Sequence, residues 1–172
     1  MLNWAYFPRS AKPTSLALQV VNVFSTAHEH IASTQHKHAS NVVLRHVAEG
    51  LKAIGFSVEV GKKKSEKVYV PVLYGNNGKV AKAFEADAHH VPGRFVVEIE
   101  AGRATINNQF LKDLFQGCLM DEVEYVAIAV RNLYEAAGIK NPDFDRVVTF
   151  FETLYASDRI RLPLKGVLLL GY

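Results

Sequence analysis

Four carboxylates crowd one short stretch, Phe84 to Gly102, which reads FEADAHHVPGRFVVEIEAG: Glu85 and Asp87 precede a Val-Pro-Gly turn, and Glu98 and Glu100 follow it. The arms otherwise carry the apolar pattern of a β-hairpin. Residues two apart in a strand share a face, so Glu98 lies beside Glu100 and Glu85 beside Asp87. With Pro92 and Gly93 at the turn centre, Val91 opposes Arg94, Asp87 opposes Glu98 and Glu85 opposes Glu100. Any turn of even length keeps the four on one face; an odd one would separate the pairs. Opposed like charges on neighbouring strands cost roughly 0.2–1 kcal/mol when solvated and more when buried. A cation should compensate them, and an all-oxygen donor set suits Mg2+, with Mn2+ as a substitute. The same alternation also allows an exposed hairpin whose acids face water.

The flanking chain must supply the elements that hold such a hairpin. Apolar residues recur at three and four from Thr14 to about Thr34 (Leu16, Val20, Val23, Phe24, Ala27, Ile31), which predicts a helix after Pro13. A second helix begins near Ser40, a residue type suited to an N-cap, carries Val43, Val47, Leu51 and Ile54 on one face and stops at Gly55. The period then changes to two: Phe56 to Gly61, Lys67 to Gly75, the two hairpin arms and Val123 to Arg131 read as strands. A helix over about Ile106 to Met120 faces Ile106, Phe110, Leu111, Leu114, Phe115 and Cys118 inward. Another, over about Asp143 to Ala156, packs Phe144, Val147, Val148, Phe151 and Leu154, and Val167 to Gly171 suits a closing strand. The expected fold is α/β, a central mixed sheet flanked by helices. At 172 residues and 49% apolar content the chain suits one domain, 1–172, with a core at 40–131, an N-terminal helix at 14–34 and a C-terminal helix at 143–156.

This order, helix, three strands, helix, strand, together with the acids, resembles the PD-(D/E)XK superfamily of restriction-endonuclease-like nucleases. The family pattern is an acid on one core strand and, after a hairpin, acid-x-Lys on the next. Asp87 matches the first acid and Glu98 the second; Ile99-Glu100 takes the place of x-Lys, and Ala86 replaces the Pro before Asp87. The resemblance spans about Ser40 to Arg131. It implies a core of restriction-endonuclease type and metal-assisted hydrolysis of phosphodiester bonds in double-stranded DNA, as in type II restriction enzymes. Asp87 and Glu98 would hold Mg2+, and Glu100 would be a further ligand or the base that draws a proton from water. Glu49, from the first core helix, is a further metal candidate by the same resemblance, although Asn41, Arg45 and Glu49 also read as a solvent stripe. The missing cation is to be supplied by Arg103, just past the strand, or by Lys112 on the following helix. Cutting both strands of a duplex needs two sites, which a chain of this size supplies most simply as a homodimer.

Composition narrows the alternatives. A net charge of +3 permits a polyanionic partner without demanding one, the single Cys118 excludes an internal disulfide and fits a reducing cytoplasm, and the longest apolar run, GVLLLGY, is too short to cross a membrane. The histidines of AHEH and HKH are two apart, so on a regular helix they diverge and do not suit zinc, while His89 and His90 lie close enough to Asp87 to assist a nuclease site. GKKKSEK reads as a solvated tip, with DNA phosphates as a second use; Trp4, Tyr6 and Phe7 read as core or interface anchors. The competing functions are a catalytically silent nucleic-acid-binding module on the same fold, and an interaction domain whose acids are merely exposed.

Overall fold

The computed structural model describes residues 1–102, 104–105, 107–136, 138–157 and 159–172. Its elements run β1 (Asn3–Phe7), α1 (Ser15–Ile31), α2 (Ser40–Ala53), β2 (Ser57–Val58), β3 (Val68–Tyr74), β4 (Val80–Ala86), β5 (Ala88–His90), β6 (Phe95–Ile99), α3 (Gln109–Leu119), β7 (Tyr125–Val130), β8 (Tyr134–Ala136), β9 (Ile139–Asn141), α4 (Asp143–Ser157) and β10 (Gly166–Gly171).

Near-continuous apolar runs mark strands buried on both faces. FVVEI, YVAIAV and GVLLLG are such runs, and β6, β7 and β10 form the parallel centre of a six-stranded sheet ordered β1-β10-β7-β6-β5-β2. β1, β5 and β2 pair antiparallel, so the sheet is mixed, with helices on both faces. Alternate side chains enter two cores. Val97, Ile99, Ala129 and Leu168 pack under α1 and α2; Val96, Val126, Ile128 and Leu169 pack under α3 and α4. Glu98 has the parity of the second set and is the one charged residue in β6.

The turn takes the expected register: Arg94 N–H donates to Val91 O at 3.0 Å, and Ala88 opposes Val97. The first hairpin arm, however, is not one strand. β4 pairs with β3 in a separate two-stranded ribbon, the chain bends at Asp87, and β5 joins the main sheet. Extending the β5–β6 register by one residue sets Asp87 against Glu98, but Glu85 pairs across from Tyr69 rather than Glu100. The bend is held from the far side, where Glu59 N–H donates to Asp87 O at 2.8 Å.

Other elements differ in detail. α1 is capped by Thr14, whose Oγ1 accepts from Ala17 N–H at 3.1 Å, and it ends at Ile31, where Ala32 N–H turns back to His28 O. α2 is preceded by Ala39 with no side-chain cap, so Ser40 is not the N-cap. Trp4, Tyr6 and Phe7 belong to the edge strand β1, with Tyr6 and Phe7 buried and Trp4 exposed. Phe115 is exposed because the buried face of α3 is Phe110, Asp113, Leu114 and Gly117. Ile106 lies outside the described residues. Among the described residues no helix is long and apolar enough to cross a membrane.

Candidate active site

The bend at Asp87 and the buried strand β6 meet at the mouth of a cleft of about 480 Å³, between the end of the sheet, the inner half of the β3–β4 ribbon and α3. Asp87, Glu98, Glu100, Lys112 and Asp113 line it, with Glu59, Lys67 and Glu85 along one wall and Ser40 of α2 at its rim. Asp87 is fixed at both ends: its backbone carbonyl is bonded as above, and its Oδ2 accepts from Ile99 N–H at 2.7 Å. Glu98 is 8% exposed and Asp113 4%; Glu98 Oε1 and Asp113 Oδ2 are buried with no hydrogen-bond partner among the described residues. Leaving a charged oxygen in that condition is costly in a protein interior.

Burial shifts all four acids in the same direction. Desolvation first, then the charges of Glu59 and Glu100, raises Asp87 to about 6, although the Ile99 N–H opposes the rise. Glu98 is pushed well above the usual carboxylate range by burial and by the neighbouring Asp87 and Asp113, with the Asp87 backbone N–H and Lys112 opposing. Asp113 goes up to about 8, by burial and then by the charge of Glu100, to which its carboxyl is hydrogen-bonded. Glu100 is raised by burial, with that hydrogen bond and Lys112 holding it down. Asp113 therefore keeps at neutral pH a proton that a free acid would have lost.

The predicted residues fare unequally. Asp87, Glu98 and Glu100 come together in the cleft, and Lys112 enters it from α3. Arg103 lies outside the described residues. Glu49 is not brought to the cleft: its side chain is 87% exposed and paired with Lys52 at 2.9 Å, about 13 Å along α2 from Ser40 by helical rise. His90 does a turn's work instead, its Nδ1 accepting from Gly93 N–H at 2.8 Å, and neither it nor His89 lines the cleft. Arg94 is engaged with Glu124 at 2.5 Å on another face. His30, His46, His38 and His36 form a stacked column, with successive centroids 5.6, 5.8 and 4.9 Å apart.

Sequence reasoning missed two groups. Asp113 sits on the apolar face of an amphipathic helix, and that misplaced acid was the available signal. Lys67 was read as part of a solvated tip; it is only 18% exposed and bridges Glu59 at 2.8 Å and Glu85 at 3.2 Å, pinning the ribbon to the sheet edge.

The donor set suits a hard cation: carboxylate oxygens, two of them without a partner among the described residues, in a cleft whose acids repel one another. Among the described residues no group of three or more His, Cys, Asp or Glu stands assembled as a coordination shell. That is compatible with Mg2+, which takes one or two protein carboxylates and fills its remaining positions with water or substrate.

Layered in this way, with a mixed sheet between helices, the chain has a restriction-endonuclease-like fold. The restriction endonuclease BglII in complex with a DNA 16-mer superposes with a TM-score of 0.50 at 10% identity, over 99% of this chain and 77% of that one. Free BglII gives 0.48 at 9% identity, over 99% and 78%. No protein-family model matches the sequence, and no curated protein matches it.

Proposed function

We propose that this chain is a magnesium-dependent endonuclease that hydrolyses phosphodiester bonds in double-stranded DNA, akin to type II restriction enzymes, with Glu100 where the motif Lys stands. The observation that carries the reading is the pair Asp87 and Glu98, two largely desolvated acids at one end of the sheet, one with an oxygen that bonds nothing among the described residues, beside Lys112. The neighbour in fold is a DNA endonuclease crystallised with DNA, which supports the same ligand here.

Asp87 and Glu98, with Glu100 as a third candidate, would hold Mg2+, which when bound neutralises phosphate charge and lowers the pKa of water. Lys112 would face the phosphate oxygens and stabilise the charge that develops on them. The carboxylate of Glu100 would accept a proton from the attacking water, and the hydrogen bond from Asp113 would orient it. Arg103 remains a second candidate for the cationic role. The whole chain would act as one nuclease domain in a cytoplasmic setting, and as a homodimer it would offer one site per strand.

Supercoiled plasmid tests the proposal. The wild type should nick and linearise it with Mg2+ or Mn2+, and Asp87→Asn and Glu98→Gln should not. Two folded variants that still cut at the native rate would end the assignment. Retention of DNA without cutting would instead favour a catalytically silent binding module, the reading that Glu100 in the lysine position supports.

A further inference from the structure

We propose that the β3–β4 ribbon is a groove-binding element, with its tip seated in the major groove of the duplex held at the cleft; this rests on reading the cleft as a DNA site. The inner half of the ribbon is anchored. Val70 and Ala86 are buried and Val72 and Phe84 pack on the core under α3 and α4, while Lys67 ties its base to Glu59. The outer half lacks such core packing, and the Tyr74 hydroxyl ties its base to Asp121. Residues 73–82 are all exposed, and among the described residues the ribbon pairs with no other strand. An exposed two-stranded ribbon carrying Leu73 and Val80 at 60% and 52% exposure costs solvation unless something covers it.

Charge and shape both point to nucleic acid. Between Lys67 and Phe84 the sequence contains no acid, whereas Lys79 and Lys82 lie on the outer half. Asp121 Oδ2 accepts from the Tyr74 hydroxyl at 2.7 Å, Glu85 pairs with Lys67, and Glu122 lies 3.7 Å from Arg94, so these three acids are engaged. The loop is Asn76-Asn77-Gly78, closed by Gly75 N–H to Lys79 O at 2.8 Å, with Asn77 and Gly78 at φ 58° and 70°. The amides of Asn76 and Asn77 bond nothing among the described residues. A pair of strands about 4.8 Å apart fits a major groove about 12 Å wide, and three residues beyond the anchored half reach about 10 Å, enough for its depth. Amide side chains are suited to base edges there and Lys to phosphate. Lys82 to Ala86 line the cleft itself, so a duplex with one phosphate at Asp87 and Glu98 would run along this ribbon.

The test uses Asp87→Asn protein, so that bound duplex stays intact, and reads dimethyl sulfate protection of guanine N7, a major-groove atom. We expect N7 protection on random-sequence duplex DNA, lost in Asn76→Ala/Asn77→Gly, which keeps the left-handed turn. Lys79→Ala should lower the slope of log affinity against log salt by about 1. Thermal melts confirm that the variants fold. Unchanged protection and salt slope in the tip variants overturn the proposal, as does equal binding of duplex RNA, whose deep major groove excludes a ribbon. Tip-dependent protection with no cleavage by the wild type sinks the nuclease reading and leaves the ribbon assignment standing. Cleavage with no tip dependence does the reverse.

Discussion

At the level of single residues, the cleft holds more acid than a folded protein needs. Asp87 and Glu98 repel each other and are desolvated, so removing either charge should relieve the metal-free protein. Asp87→Asn and Glu98→Gln are therefore expected to abolish cleavage while leaving metal-free stability unchanged or higher, measured by urea melts beside the plasmid assay. Were these acids structural, the same changes would lower stability by about 1–3 kcal/mol. Glu100→Lys installs the lysine of the motif that the sequence resembles and places a cation against Asp113. If Glu100 is a ligand, isothermal titration should record weaker Mg2+ binding; retained affinity and activity would move Glu100 out of the site.

Element by element, the site depends on how closely α3 lies on the sheet. Gly117 is the contact point: a Cβ there would meet Val126 Cγ2 at 2.5 Å on β7. Gly117→Ala should push α3 outward and cost about 1–3 kcal/mol by overpacking. Because α3 carries Lys112 and Asp113, cleavage should fall with it, whereas an exposed change on the same helix such as Phe115→Ser should leave the rate near native. Denaturant melts and single-turnover rates on the two variants separate displacement of the helix from simple loss of stability. The ribbon is a second element held by few contacts, and its clamp at Lys67 explains how a strand outside the main sheet can still form a wall of the cleft.

At the scale of the whole molecule, the four raised acids of the cleft contribute to how stability depends on pH. Asp87 and Asp113 titrate near about 6 and about 8 in the fold, and Glu98 and Glu100 are raised as well, all above their unfolded values near 4. At these four groups the folded chain binds more protons than the unfolded one in that window, so their contribution to stability falls as pH rises. The contribution is fully present below about pH 4 and is lost as pH passes through the folded values. Melts of metal-free protein between about pH 5 and about pH 9 should decline, and Asp113→Asn should flatten the slope. A flat wild-type profile would show that these acids are solvated. Mg2+ binding should oppose the decline most at high pH, by about 2.7 kcal/mol at a hundredfold excess over its Kd.

The apolar periods of β6, β7 and β10, the helical faces of α1 and α4 and the even-length Val-Pro-Gly turn were legible without coordinates, because side-chain period and turn geometry are local properties of the backbone. They sufficed to set Asp87 against Glu98 and to anticipate a mixed sheet between helices. The break at Asp87 was not legible, since FEADAH alternates as well for one strand as for two, and only the competing partners β3, β2 and β6 decide where the chain changes sheet. Nor was the contribution of the helices: Lys112 and Asp113 reach the cleft because α3 crosses back over β6 on its way to β7, and Glu49 does not because α2 presents its other end. Local pattern determined which residues share a face; the packing of one element on another, a sum of non-local contacts, determined which faces meet.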